Sequence, residues 1–185
     1  IQLQAEMSDG TIVSGESKIP EARKRIRKML MKPADAPASK GAVEAILKSD
    51  VLIFGPGSLY TSVIPNLLVE EIREAILQSD AVKIYVCNVM TQPGETDGYG
   101  AFEHVRALVD HMGKQFLDYV IVNDQKITTE QLKQYYAEGS MPVTPDVEKI
   151  RKLGITVVPA SLISKDDLVR HEPRKLARAL IMLIY

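Results

Sequence analysis

The sequence has one cysteine, no tryptophan and only three phenylalanines in 185 residues. A lone Cys87 excludes an internal disulfide, and seven methionines beside it suit a reducing compartment. An excess of either charge is also absent. Lys and Arg total 23 against 24 Asp and Glu, a net charge of -1, so there is no general attraction to nucleic acid or to an anionic membrane. No apolar run approaches the ~20 residues of a membrane span, and no secretory signal opens the chain. The cytoplasm is the expected location. Neither zinc-ligand spacing, nor a nucleophile elbow, nor a serine triad is found, and there is no repeat or low-complexity segment.

What is present is ordinary for a globular protein: 45% hydrophobic and 25% charged residues. The length suits a single α/β domain over residues 1–185. Because the chain opens on Ile1 and runs straight into an alternating strand, it is expected to be the C-terminal part of a larger domain. Ile1–Met7 and Thr11–Glu16, joined at Ser8-Asp9-Gly10, read as an N-terminal β-hairpin. Glu21–Lys28 carries five basic side chains around Ile26, either an exposed strand or helix face or a phosphate-steering patch.

From Lys40 onward helices and strands alternate. Helices are expected at Lys40–Lys48, from the loop after Phe54 through Gln78, and at Phe102–Met112, Thr128–Tyr136, Val147–Leu153 and Pro173–Leu183. Strands are expected at Val51–Phe54, Lys83–Val89, Tyr119–Val122 and Thr156–Pro159. The continuous apolar run Val51–Phe54 reads as a strand buried on both faces. The alternation implies a mostly parallel sheet with helices on both sides, whose ligand edge carries the loops after the strands.

Two of those loops carry candidate chemistry. The first is Gly55-Pro56-Gly57-Ser58-Leu59-Tyr60-Thr61-Ser62, between a strand and a helix start. Its glycines allow close backbone approach, and amides at a helix start favour an anion. Ser58, Thr61 and Ser62 add hydroxyl donors, and no acidic residue lies in the loop. With no lysine it is not a Walker loop, and it lacks the full dinucleotide fingerprint. A plain tight turn with a capping serine is the alternative. The second loop, Asn88–Tyr99, offers Asn88, Thr91, Gln92 and Thr96 as hydrogen-bonding groups for a sugar, base or phosphate. Glu95 and Asp97 are candidates to hold magnesium or to act as acid or base. A flexible surface loop is the alternative there. His104 and His111, seven residues apart on one helix face, are read as surface or capping residues that can face the site. His171 reads as a capping or solvent residue, and Cys87 as buried and inert.

The run Phe54-Gly55-Pro56-Gly57-Ser58-Leu59-Tyr60-Thr61-Ser62-Val63-Ile64-Pro65-Asn66-Leu67-Leu68 resembles the central motif of the CofD-like family. Tyr85–Thr96 (YVCNVMTQPGET) is similar to a second signature found in its gluconeogenesis-factor (YvcK-type) branch. The hairpin with Asp9-Gly10 and Gly15-Glu16-Ser17, and His171-Glu172-Pro173, fit the same branch. The resemblance implies a Rossmann-like three-layer α/β fold with a mostly parallel sheet and the N-terminal β-hairpin. It implies a cytoplasmic regulator of carbon metabolism and cell shape that binds a nucleotide-sugar such as a UDP-sugar.

The implied ligand residues are Gly55, Pro56, Gly57, Ser58, Leu59, Tyr60, Thr61, Ser62, Asn88, Thr91, Gln92, Glu95 and Thr96. No metal ligand is assigned, although magnesium can accompany a nucleotide-linked ligand. The family's opening glycine-rich loop and aspartate segment fall outside this sequence, so half of the ligand site is expected to lie there. The alternative function is that of a 2-phospho-L-lactate transferase-like enzyme, moving a phospholactyl group from a guanosine diphosphate carrier to a deazaflavin; the catalytic residues stay unassigned. A weaker third reading is an interaction scaffold using Tyr135, Tyr136 and Arg23–Lys28. A homodimer is expected on general grounds.

Overall fold

The alternating polarity at the start of the chain builds a small antiparallel sheet. In the computed structural model, which describes residues 1–164 and 169–184, β1 (Gln2–Met7) pairs with β2 (Ile12–Ser14) on one side and β3 (Ile26–Lys32) on the other. The hairpin turn is held by Asp9, whose Oδ1 accepts from the Thr11 backbone at 3.0 Å and its hydroxyl at 2.6 Å. Lys24 Nζ lies 2.7 Å from the same carboxylate and holds it well below the usual carboxylate range. The short helix α1 (Lys18–Glu21) leads into β3, so the basic segment becomes the entry to a strand. Ala5, Met7, Ile26 and Met29 turn the sheet's apolar face inward.

The second sheet has four parallel strands in the order β4 (Val51–Phe54), β5 (Val82–Val86), β6 (Tyr119–Asn123) and β7 (Thr156–Ala160). Side chains alternate between two cores, as the strand period of two requires. Ile84, Val86 and Ile121 face α8 (Pro173–Ile184) through its Leu176. Tyr85, Cys87, Val120 and Val122 face the larger core, which also receives α5 (Ala101–Met112) and the inner face of the antiparallel sheet. The result is the expected three-layer Rossmann-like arrangement. Also in place are α2 (Ala42–Lys48), α6 (Thr129–Glu138) and α7 (Val147–Arg151). Thr128 caps α6, its hydroxyl accepting from the Gln131 backbone at 3.3 Å.

Three expectations are corrected. β4 is not buried on both faces: it is an edge strand paired only with β5 among the described residues, and Ile53 is 46% exposed. The single helix running to Gln78 is three pieces, a wide π-helical turn Leu59–Val63, α3 (Ile64–Leu67) and α4 (Glu70–Gln78). Pro65 accounts for the first break, because its ring crowds the carbonyl four residues earlier and it has no N–H to donate. Extended backbone at Val69 makes the second, and lets Leu67 and Val69 both be buried although they are two residues apart. The strand expected to reach Val89 ends at Val86.

Candidate ligand site at the ends of β4 and β5

Because β4 and β5 are parallel neighbours, the loops that follow them emerge side by side. Gly55 begins the first loop with φ +87, and a β-carbon there would lie 3.1 Å from the Val86 carbonyl of the adjacent strand. Only glycine meets both conditions. The Gly55–Pro56 peptide is cis. Gly57 lies close against the Ser62 side chain, with 3.3 Å between Ser62 Cβ and the position a β-carbon would take. Gly55, Pro56, Gly57 and Ser62 border a groove of about 560 Å³ whose floor is apolar, including Leu52, Phe54 and Ile76. Ser62 and Pro56 are exposed, and Ser58 is half-buried. Ser58 does not cap through its side chain; its carbonyl accepts from the amides of Ser62 and Val63. The other members of this loop look inward. Leu59 and Tyr60 are 1% and 3% exposed and belong to the core, although the Tyr60 ring also borders a different cavity.

The second loop is a compact buried turn rather than a flexible surface loop. Thr91, Glu95 and Thr96 are 4%, 3% and 2% exposed. Thr96 Oγ1 accepts from the Gln92 amide at 2.8 Å, and the Gln92 carbonyl receives the amides of Glu95 and Thr96. Thr91 is tied to Met141 twice, donating its amide to the carbonyl at 2.7 Å and accepting the Met141 amide on Oγ1 at 2.9 Å. Gly94, at φ +82, lies so close to the Pro20 carbonyl of α1 that no β-carbon fits. Asn88, at the foot of the loop, is half-buried, and its side-chain oxygen is buried without a hydrogen-bond partner.

An acidic group does reach the first loop, from the second. Glu95 Oε1 accepts from Thr61 Oγ1 at 3.0 Å and from Gln92 Nε2 at 2.8 Å. Burial raises its pKa, while Thr61 and the backbone amides of Tyr60 and Thr61 partly oppose that rise. The amides at the start of the wide turn therefore already face a carboxylate. The part of the loop that does not face Glu95 is Gly55–Ser58 and the exposed Ser62 hydroxyl. Asp97 is exposed, with Oδ2 accepting the Gly94 amide at 2.7 Å. Among the described residues no group of three or more His, Cys, Asp or Glu is arranged to hold a metal ion.

One histidine is buried and the other two are half-buried. His104 is 0% exposed; its Nδ1 donates to the Gly100 carbonyl at 2.8 Å, and its Nε2 is buried without a partner. His111 is half-buried: Nδ1 donates to the Ala107 carbonyl, and Nε2 accepts the Met29 amide at 2.9 Å, joining α5 to β3. Their shared face meets Tyr60 and Tyr99, whose hydroxyls are 2.8 Å apart. His171 is not a solvent residue. Its Nε2 lies 3.1 Å from the Cys87 carbonyl, beside the start of the second loop. No local pattern marks that placement, since it joins residues 84 positions apart. Burial lowers the pKa of all three histidines and pushes the Cys87 thiol up to about 12, which keeps that thiol inert.

The family model for CofD, described as 2-phospho-L-lactate transferase, matches residues 1–163. The chain belongs to the CofD family. This CofD-family chain is 46% identical over 182 residues to a gluconeogenesis factor from Halalkalibacterium halodurans, covering 98% of the chain and 56% of that protein. It is 43% identical over 185 residues to the gluconeogenesis factor of Bacillus subtilis, covering 100% of the chain and 58% of that protein. A crystal structure of a upf0052-family member from Bacillus halodurans superposes with a TM-score of 0.94 at 45% identity, over 97% of this chain and 58% of that one. The CofD-family chain thus spans a little more than half the length of the relatives it matches.

Proposed function

We propose that the protein is a gluconeogenesis factor of the CofD family that binds a nucleotide-sugar of the UDP-sugar type. In this reading it acts in the cytoplasm as a regulator of carbon metabolism and cell shape, as a homodimer. The observation that carries the reading is the Gly55–Ser58 backbone bordering the groove at the end of β4; the unpartnered, buried Asn88 oxygen follows the adjacent strand β5 and lies outside that groove's lining. The glycine backbone suits the close approach of a phosphate, and Ser58 and Ser62 supply donors. Asn88, with Gln92 nearby in the second loop, suits a donor on a sugar or base, since a buried polar atom without a partner is costly until one arrives. Leu59, Tyr60, Thr61, Thr91, Glu95 and Thr96 then act by holding the two loops in place. The groove continues along the open edge of β4, and the rest of the binding site comes from the part of the relatives' length that this chain does not span.

The family model's own description favours a second reading, transfer of a phospholactyl group from a guanosine diphosphate carrier to a deazaflavin alcohol. Magnesium would then accompany the diphosphate, and Asp97, an exposed carboxylate of the second loop, could assist deprotonation. Calorimetric titration of the full-length protein with UDP-glucose and UDP-N-acetylglucosamine separates the two readings, run beside incubation with a lactyl-diphosphoguanosine donor and deazaflavin acceptor. Saturable heat with a UDP-sugar and no transfer product is expected. Product formation without UDP-sugar binding contradicts the regulatory reading.

A further inference from the structure

A second cleft lies between the antiparallel sheet and α5, apart from the glycine-loop groove. It consists of two adjoining cavities of about 530 and 510 Å³ that share Arg25, Tyr99 and Glu103. One wall is the basic entry to β3, where Arg23 takes the uncommon φ of 48 for a residue with a side chain. Lys24 is paired with Asp9 and Arg27 with Glu6, whereas the exposed guanidinium groups of Arg23 and Arg25 have no ion pair or hydrogen bond among the described residues. The facing wall is rich in acceptors. Glu95 lines it with a residue exposure of only 3%, and its Oε2 is buried without a partner. Asp97 and Glu103 stand on the same side.

A simple anion meets the carboxylates in such a cleft, and a simple cation meets the arginines. A ligand that satisfies both walls carries an anionic group for the guanidinium forks and several hydroxyl donors for the carboxylate oxygens. We propose that this cleft is a second small-molecule site that takes a sugar phosphate. The phosphate is held by Arg23 and Arg25, and the sugar hydroxyls donate to Glu95 Oε2, Asp97 and Glu103. The Tyr99 ring forms the wall against which the sugar lies.

The test is calorimetric titration of the full-length protein with ribose 5-phosphate and glucose 6-phosphate, with inorganic phosphate and free ribose as controls. Saturable binding of a sugar phosphate is expected, about tenfold or more tighter than inorganic phosphate, with comparable loss in an Arg23→Ala/Arg25→Ala double variant. Both arginines are exposed, so the variant is expected to fold, which its circular dichroism checks. UDP-glucose affinity is expected to be unchanged in that variant, so the outcome is independent of the nucleotide-sugar reading. No saturable binding by either sugar phosphate overturns the proposal, as does equal affinity for inorganic phosphate or indifference to the double variant.

Discussion

At the scale of the residue, the glycines and the buried Glu95 give the sharpest expectations. Gly94 has both a positive φ and the Pro20 backbone where a β-carbon would go, so Gly94→Ala must displace either α1 or the second loop. We expect a loss of stability on the order of 1–3 kcal/mol by chemical denaturation, because strain and a steric overlap combine. A change within measurement error contradicts the placement of the loop on α1. Glu95 is testable through pH. Its carboxyl pKa is raised in the folded protein, so the native state binds the proton more tightly than the unfolded chain. Its contribution is present below the unfolded value of about 4.3 and is lost as pH rises through the folded value. The Tm of the native protein minus that of Glu95→Gln should therefore fall as pH is raised from 4 to 7. A constant difference would mean the carboxyl is not perturbed.

The histidines work in the opposite direction. Burial lowers the pKa of His104, His111 and His171, so their contribution is present above the unfolded value of about 6.5 and lost as the pH falls through their folded values. His111→Gln, which can keep a side-chain acceptor for the Met29 amide, is expected to reduce the acid-side loss of Tm. A variant that shows the same acid slope as the native protein contradicts this.

At the scale of the element, the strand and helix periods and the strand–glycine–helix order were legible in the sequence. The breaks in the chain after Ser58 were not. Apolar spacing from Ile64 to Leu77 fits one stripe, and the stripe conceals that Pro65 and Val69 interrupt the backbone while its side chains still reach the core. The edge position of β4 was hidden for a related reason. Four consecutive apolar residues state that a strand is apolar on both sides, but not which segment covers each side. Thr128→Ala should cost about 0.5–2 kcal/mol by removing the side-chain cap of α6. Leu67→Ala, at a site 1% exposed, should cost about 2–5 kcal/mol. A negligible effect of Leu67→Ala in urea denaturation would show that the core does not extend beneath α3, and a negligible effect of Thr128→Ala that the cap does not hold α6.

At the scale of the whole molecule, the two sheets share the larger core, and the described residues form, among other cavities, two clefts at separate places. One follows the glycine loop along the open edge of β4, and the other lies under the basic entry to β3. The first was legible from the residue pattern at Gly55–Ser62, part of which borders it, whereas no residue of Asn88–Thr96 lines that groove. Which side chains of those loops face the groove was not legible. Glu95 crosses between the loops, and Thr91 and Thr96 turn inward, through contacts with Thr61, Met141 and Gln92 that no local spacing encodes. The second opening joins residues some seventy positions apart; only its basic wall, within Glu21–Lys28, was visible in the sequence, as one of two readings of that segment.

In the proposed function the Gly55–Ser58 backbone receives the phosphate of a nucleotide-sugar. The most direct measurement of this is calorimetric titration of the full-length protein and its Gly57→Asp variant with UDP-N-acetylglucosamine. Saturable binding by the native protein and none by a folded Gly57→Asp variant is expected, since the new side chain brings both bulk and a like charge to the phosphate position. Undiminished affinity in the folded variant would show that this loop is only a turn.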